Sequence, residues 1–230
     1  MRRYLPYLTT MGAAGLTVLG ALVLSSSNAA ADVGAGPGKK LYQVEITNLT
    51  RSQIISPPIL ASHDASVAMF ELAMPASPEL AELAENGNNA PLAALLGGSA
   101  GVHAVTTAPG GIEPGHTMTL TIEVGNHATR LSGAGMLVST NDAFFALDAV
   151  DVDKIKRATL LLPAYDAGSE FNSEDCAFIP GPPCGAGAVH DPSPAEGFVY
   201  VSNGIHGIGG VPAAWYDWRD AVVRVVITRL

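Results

Sequence analysis

Leu41 to Thr47 alternates apolar and polar side chains (Leu-Tyr-Gln-Val-Glu-Ile-Thr), the period-two pattern of a strand with one buried face. Thr117 to Val124 repeats it. Further runs of branched and apolar residues predict strands over 130–139, 143–147, 155–162, 197–202 and 221–228, each bounded by turn residues. Helical signals concentrate in one region. His63 to Met74 is rich in Ala, Met and Phe and predicts a first helix. Ser77-Pro78-Glu79 opens a second, with Ser77 as N-cap, Pro78 in the first turn and a stop at Gly87. Asn89 to Leu96 predicts a third, closed by Gly97-Gly98, while Pro57-Pro58 marks an irregular stretch. Short strands with few helices and no internal repeat predict a mainly β fold. An antiparallel β-sandwich fits this pattern better than a βαβ arrangement.

The N-terminus carries a different pattern. Arg2 and Arg3 precede an apolar run from Met11 to Leu24, then polar Ser25 to Asn28 and Ala29-Ala30-Ala31. A positive start, a short apolar core and small residues before a cleavage point predict a secretory signal peptide over residues 1–31. The competing reading is an uncleaved anchor, but the core is short for a span of about 20 residues, and no charged stop follows it. Residues 32–40 (Asp-Val-Gly-Ala-Gly-Pro-Gly-Lys-Lys) have the composition of a flexible linker, and residues 41–230 form the expected domain. No later stretch approaches about 18 consecutive apolar residues, so no stable membrane span is expected after signal cleavage. The expected location is exported, either secreted or periplasmic.

Charge narrows the function classes. The 230 residues carry 12 Lys+Arg against 21 Asp+Glu, a net charge of −9. Removing residues 1–31 takes away two arginines and no acid, so the remaining chain is more acidic still. A nucleic-acid partner, which needs a basic face, is therefore not expected.

The acidity is concentrated. Asp166, Ser169, Glu170, Asn172, Ser173, Glu174 and Asp175 fall in one loop, and Ser139-Thr140-Asn141-Asp142 forms another between two predicted strands. Carboxylates on neighbouring loops repel unless a cation lies between them. Hard oxygen donors on loops suit Ca²⁺, which takes six to eight oxygens. A solvated acidic loop is the alternative, and no EF-hand spacing is present. Cys176 and Cys184 flank Ala-Phe-Ile-Pro-Gly-Pro-Pro, and two cysteines in an exported chain are expected to pair.

Other motifs carry less chemistry. Gly97-Gly-Ser99-Ala-Gly101 matches a nucleophile elbow in letters, but it follows a helix rather than a strand and reads as a Gly-rich connection. The six histidines are scattered, with His206 expected to line a turn. Asn48-Leu49-Thr50 is a glycosylation sequon that would matter only in a eukaryotic host. Trp215-Tyr216-Asp217-Trp218-Arg219 is expected to be buried beside the last strand, with Asp217 pairing to Arg219.

These motifs, in this order, resemble the spondin domain of animal F-spondin and mindin and of many bacterial exported proteins. The resemblance rests on Ser-Thr-Asn-Asp-Ala-Phe-Phe-Ala-Leu (139–147), Leu-Pro-Ala-Tyr-Asp-Ala-Gly-Ser-Glu (162–170) and Arg-Val-Val-Ile-Thr-Arg-Leu (224–230). Tyr-Gln-Val-Glu-Ile-Thr-Asn-Leu-Thr (42–50), Ile-Pro-Gly-Pro (179–182) and Asn-Gly-Ile-His-Gly (203–207) look like its bacterial branch. It covers residues 41–230. It implies a C2-like antiparallel β-sandwich with short helices packed at its side, and a bound Ca²⁺ held by residues corresponding to Glu123, Asp142 and Asp166. The animal motif has Trp where this chain has Ala143, and Asp where it has Glu170; neither change removes an oxygen ligand, and Glu170 is expected as the fourth metal ligand. The function so implied is a calcium-binding recognition or adhesion module rather than an enzyme, with an extracellular protein or glycan as partner. The competing classes are an exported hydrolase of glycans or esters and a purely structural envelope or matrix protein.

Overall fold

The computed structural model describes residues 39–230, so the expected signal peptide and nearly all of the expected linker lie outside the described residues. The strands are β1 (Lys40–Asn48), β2 (Ile59–His63), β3 (Val102–Thr107), β4 (Thr117–Val124), β5 (Arg130–Met136), β6 (Ala143–Asp151), β7 (Arg157–Leu162), β8 (Ala164–Asp166), β9 (Tyr200–Val201) and β10 (Val223–Arg229). The helices are α1 (Pro78–Asn86), α2 (Ala90–Gly97) and the single turn α3 (Ala213–Tyr216). The strands form two antiparallel sheets, ordered β4-β1-β10-β7 and β3-β2-β5-β6-β8-β9.

The alternation in β1 becomes the inner face of the first sheet. Tyr42, Val44 and Ile46 are fully buried, and the register sets Val44 opposite Ile227 on one side and Leu120 on the other. Leu60, Leu131, Phe145 and Leu147 of the second sheet join the same apolar core, so the two sheets pack face to face. The outer face of the second sheet is covered too. Ile59, Ala61, Ala134, Phe144 and Ala146 pack beneath Leu80, Leu83 and Ala84 of α1 and Leu92 and Leu96 of α2.

That third layer explains the strand that periodicity does not show. All five residues of β2 are buried, because one face meets the sandwich core and the other meets the helices. A strand buried on both sides loses its alternation. The helix expected over His63 to Met74 does not form. His63 completes β2, and Asp64 then caps a turn by accepting the Ser66 N–H at 2.8 Å. Ala73 adopts a φ of 64° and pairs by backbone with Val199, while Met69 and Phe70 are packed in the apolar layer under the helices. Apolar burial there is achieved without helical periodicity.

The capping signals around α1 and α2 do form helices. Ser77 Oγ accepts the Leu80 N–H at 3.2 Å, and Gly87 closes α1 in the left-handed conformation with φ 67°. Ser99 follows α2 and donates to the Leu95 carbonyl at 2.6 Å, so the Gly-rich segment is a connection into β3. Trp218 is partly buried, but Trp215 is 55% exposed with the Arg51 guanidinium 3.9 Å from its ring centre. Asp217 accepts the Ile205 N–H at 3.0 Å, and no Asp217–Arg219 ion pair occurs among the described residues. Asn48 is fully buried, and its amide donates to the Gln53 and Ile112 carbonyls. Its nitrogen is thus a structural donor, not a glycan acceptor. No helix among the described residues is long and apolar enough to cross a membrane.

Candidate functional site

The loop between β5 and β6 is polar and yet buried. Ser139, Thr140, Asn141 and Asp142 are each at most 3% exposed. Such a segment needs partners for most of its polar groups, and of its side-chain atoms Ser139 Oγ and Asp142 Oδ1 have none among the described residues. Thr140 Oγ1 donates to the Leu137 carbonyl and accepts the Ala143 N–H, closing the turn. The Ser139 N–H donates to Gln53 Oε1 at 3.1 Å. Asn141 bridges outward, donating to Glu170 Oε1 at 3.1 Å and accepting the Glu174 N–H at 3.2 Å.

Asp142 and Asp166 are brought together by strand pairing. Ala143 is registered opposite Asp166 in the β6–β8 ladder, and the Ala167 N–H donates to the Asp142 carbonyl at 3.2 Å. Asp142 Oδ2 accepts the Ser169 N–H at 2.7 Å, the Ser169 hydroxyl at 3.2 Å and the Glu170 N–H at 3.0 Å. Its other oxygen, Oδ1, is buried and has no donor among the described residues. Asp166 Oδ1 accepts the Gly168 N–H at 2.9 Å, and Oδ2 accepts the Asn172 amide at 2.9 Å. Asn172 also lies 3.1 Å from the Tyr200 hydroxyl.

Burial, and then the charge of Asp166, holds the Asp142 carboxyl well above the usual carboxylate range. Burial pushes Asp166 up to about 6, against the donors Gly168, Asn172 and Tyr200, which favour its charged form. Burial and the Asp166 charge push the Tyr200 phenol up as well. Two buried carboxyls that resist ionising together, one with a bare oxygen, form an arrangement that a cation would stabilise. The atoms on offer are oxygens, the donor class of Ca²⁺. Beside them lies a cleft of about 240 Å³ reached by Asp166, Phe171, Glu196, Tyr200 and His206.

The other carboxylates of the acidic loop go elsewhere. Glu170 meets Asp142 through its backbone N–H, while its carboxylate accepts from Asn141 and from the Asp191 N–H and lies 3.2 Å from His190 Nδ1. Glu174 is 3% exposed, and its carboxylate accepts the N–H groups of His206 (2.5 Å), Gly207 (2.6 Å) and Ile208 (3.0 Å). His206 therefore lines a turn, as expected, and Glu174 is the staple that holds it. The Cys176–Cys184 disulfide closes the segment that follows, beside a small apolar cluster of Ile179, Ile205 and Val211.

Glu123 is not in this cluster. It sits on β4 opposite Leu41, 2.9 Å from Lys39 Nζ and 3.7 Å from His103 Nε2. The buried loop lies at the Asn48 end of β1, through the Asn48–Gln53–Ser139 bonds. Between Leu41 and Asn48 runs about 23 Å of strand at roughly 3.3 Å per residue. Glu123 is thus at the opposite end of the sandwich from Asp142 and Asp166.

Sequence reasoning missed two participants. Tyr200 reaches the Asp166–Asn172 pair because β9 pairs with β8, a two-residue contact with no periodic signal. Glu85 approaches His190 from α1, where it reads as an ordinary helix-face residue. The chain matches no protein-family model, and no curated protein matches it.

Proposed function

We propose that this protein is an exported recognition or adhesion module whose loop end is organised by Ca²⁺, resembling a spondin domain. The observation that carries the reading is the bare, buried Oδ1 of Asp142 beside the carboxylate of Asp166. Asp142 and Asp166 would be the anchoring ligands, with backbone carbonyls and water completing the six to eight oxygens that Ca²⁺ takes. The cation would neutralise the pair and lock the 137–142 and 166–175 loops together, giving a rigid surface next to the Asp166 cleft. A protein or glycan oxygen is the chemistry such a surface would accept. The N-terminal signal pattern and the disulfide support export to an oxidising compartment.

The test is calcium titration of the chelator-treated protein by calorimetry, with Asp142→Asn alongside. One Ca²⁺ bound per chain, lost in the variant, supports the reading. Equal heats with and without the substitution would sink it. A glycan array and cell-binding assay with and without Ca²⁺ then separate recognition from a purely structural role.

A further inference from the structure

Glu85, Glu170 and His190 come from three separate parts of the chain: the last turn of α1, the loop after β8, and the segment before residue 191. Glu85 Oε2 and Glu170 Oε2 each lie 3.2 Å from the same atom, His190 Nδ1. All three donor atoms are within 4.8 Å of one another. The Glu170 side chain is 2% exposed and that of Glu85 is 16% exposed, and neither pairs with a Lys or Arg among the described residues.

We propose that Glu85, Glu170 and His190 form a cation site of their own, for a borderline divalent metal of the zinc class, distinct from the calcium reading above and not dependent on it. A ring nitrogen carries at most one proton. The hydrogen-bond geometry at His190 Nδ1 is met toward Glu170, which leaves Glu85 Oε2 without a donor among the described residues. A metal ion satisfies all three at once. In a tetrahedral zinc site, bonds of about 2.0–2.1 Å place neighbouring ligand atoms about 3.3 Å apart. The two separations of 3.2 Å from His190 Nδ1 are close to that edge.

The surroundings are arranged as a metal site requires. Glu170 Oε1 is held by the Asn141 amide at 3.1 Å and the Asp191 N–H at 2.9 Å, which aims Oε2 at the cluster. Outer donors of this kind orient a ligating carboxylate. Glu85 lies at the C-terminal end of α1, whose last turn has no basic residue. The negative end of a helix disfavours a carboxylate there and favours a cation. The imidazole nitrogen sets the metal class, because Ca²⁺ and Mg²⁺ prefer all-oxygen sites and zinc accepts mixed nitrogen and oxygen ligands. Three protein ligands leave a fourth position for water or a ligand atom, and the 42% exposed His190 side chain gives access to it. The metal would also tie α1 to the acidic loop.

The experiment is Zn²⁺ titration of the full chain by calorimetry in saturating Ca²⁺, followed by Co²⁺ absorption spectra. One Zn²⁺ per chain is expected, with a visible tetrahedral Co²⁺ band. His190→Ala and Glu85→Gln should each weaken Zn²⁺ at least about 100-fold, while leaving Ca²⁺ binding intact. Asp142→Asn should leave Zn²⁺ binding intact whether or not it removes Ca²⁺ binding, so the two readings can fail separately. His190 is on an exposed loop, and an unchanged melting temperature in chelator shows that its variant folds. Absence of Zn²⁺ binding, or binding unchanged in both His190→Ala and Glu85→Gln, overturns the proposal.

Discussion

Ser169 and Asp142 are joined across 27 positions by a 2.7 Å hydrogen bond from the Ser169 N–H to Asp142 Oδ2. That bond, with those from the Ser169 hydroxyl and the Glu170 N–H, directs every donor to one oxygen of the carboxylate. The other oxygen is left bare in the interior. A purely structural Asp would be expected to share its donors, since an unpaired buried acceptor costs roughly 1–3 kcal/mol.

Asp142→Asn should therefore act in opposite directions with and without the cation. In chelator it relieves the repulsion between Asp142 and Asp166, and the melting temperature should hold or rise. In Ca²⁺ at about 100 times Kd, the native protein should gain about 2.7 kcal/mol, which at this size is a rise of roughly 5–10 °C. The variant should lose that rise. Differential scanning calorimetry in both conditions checks it, and an equal calcium response in the two proteins would contradict the assignment.

The pH dependence has a definite sign. Burial raises Asp166 to about 6 in the folded protein, against about 3.9 in the unfolded chain. Between those values the folded state holds more protons than the unfolded one. In chelator, stability should thus fall as pH rises from about 4 through 6, by roughly 3 kcal/mol from this group. Exposed carboxylates held low by Lys39, Lys40 and local turns act the other way, so the readout is the difference from Asp166→Asn. Urea unfolding at pH 4.5 and pH 7 should show the wild type losing stability relative to the variant. Saturating Ca²⁺ at pH 7 should restore it. A wild type that gains relative to Asp166→Asn would mean that Asp166 is not a buried, strained acid.

Much of this was legible in the residues, and the gaps have physical causes. One-sided burial makes β1 and β4 alternate, so both could be read, and the Ser77–Pro78 and Gly87 signals bound α1. β2 was missed because two-sided burial erases the period, and residues 64–74 because apolar content without helical spacing packs as irregular chain. Asp142 and Asp166 are two of the four expected ligands, Glu123 and Glu170 being the others, and strand register brings these two together. The acidic loop read as one cation cage, but its carboxylates divide among three tasks. That division depends on backbone N–H groups of residues 206–208 and on helix α1, far away in sequence, neither of which is encoded in loop composition. Glu123 could be placed at the opposite end only once the β1–β4 register was known.

Gly168 fixes the turn that presents Asp166. Its φ is 62°, and a Cβ there would sit 2.7 Å from the Phe198 N and closer still to the Phe198 carbonyl oxygen. Both the backbone angle and the space therefore require glycine. Gly168→Ala should cost about 3 kcal/mol in unfolding free energy. It should also shift the Gly168 N–H away from Asp166 Oδ1, so Ca²⁺ affinity should fall even where the variant remains folded. Denaturant unfolding together with calcium calorimetry checks both effects. A variant as stable as the wild type would show that the 168–198 contact is not tight.

Glu174 shows how a purely structural buried carboxylate is satisfied, in contrast to Asp142. It is as buried as Asp166, yet both of its oxygens are occupied by the His206, Gly207 and Ile208 N–H groups. Glu174→Ala removes the carboxylate that accepts three hydrogen bonds and strands their donors beside the Ile179–Ile205–Val211 cluster. The expected cost is roughly 3 kcal/mol or more in unfolding free energy, measured by urea titration. Calcium stoichiometry should be unchanged, and zinc binding should be untouched. Hydrogen exchange should quicken locally at residues 206–208, because those amides lose their acceptor. Loss of calcium binding with normal stability would reverse the assignment and make Glu174 a ligand.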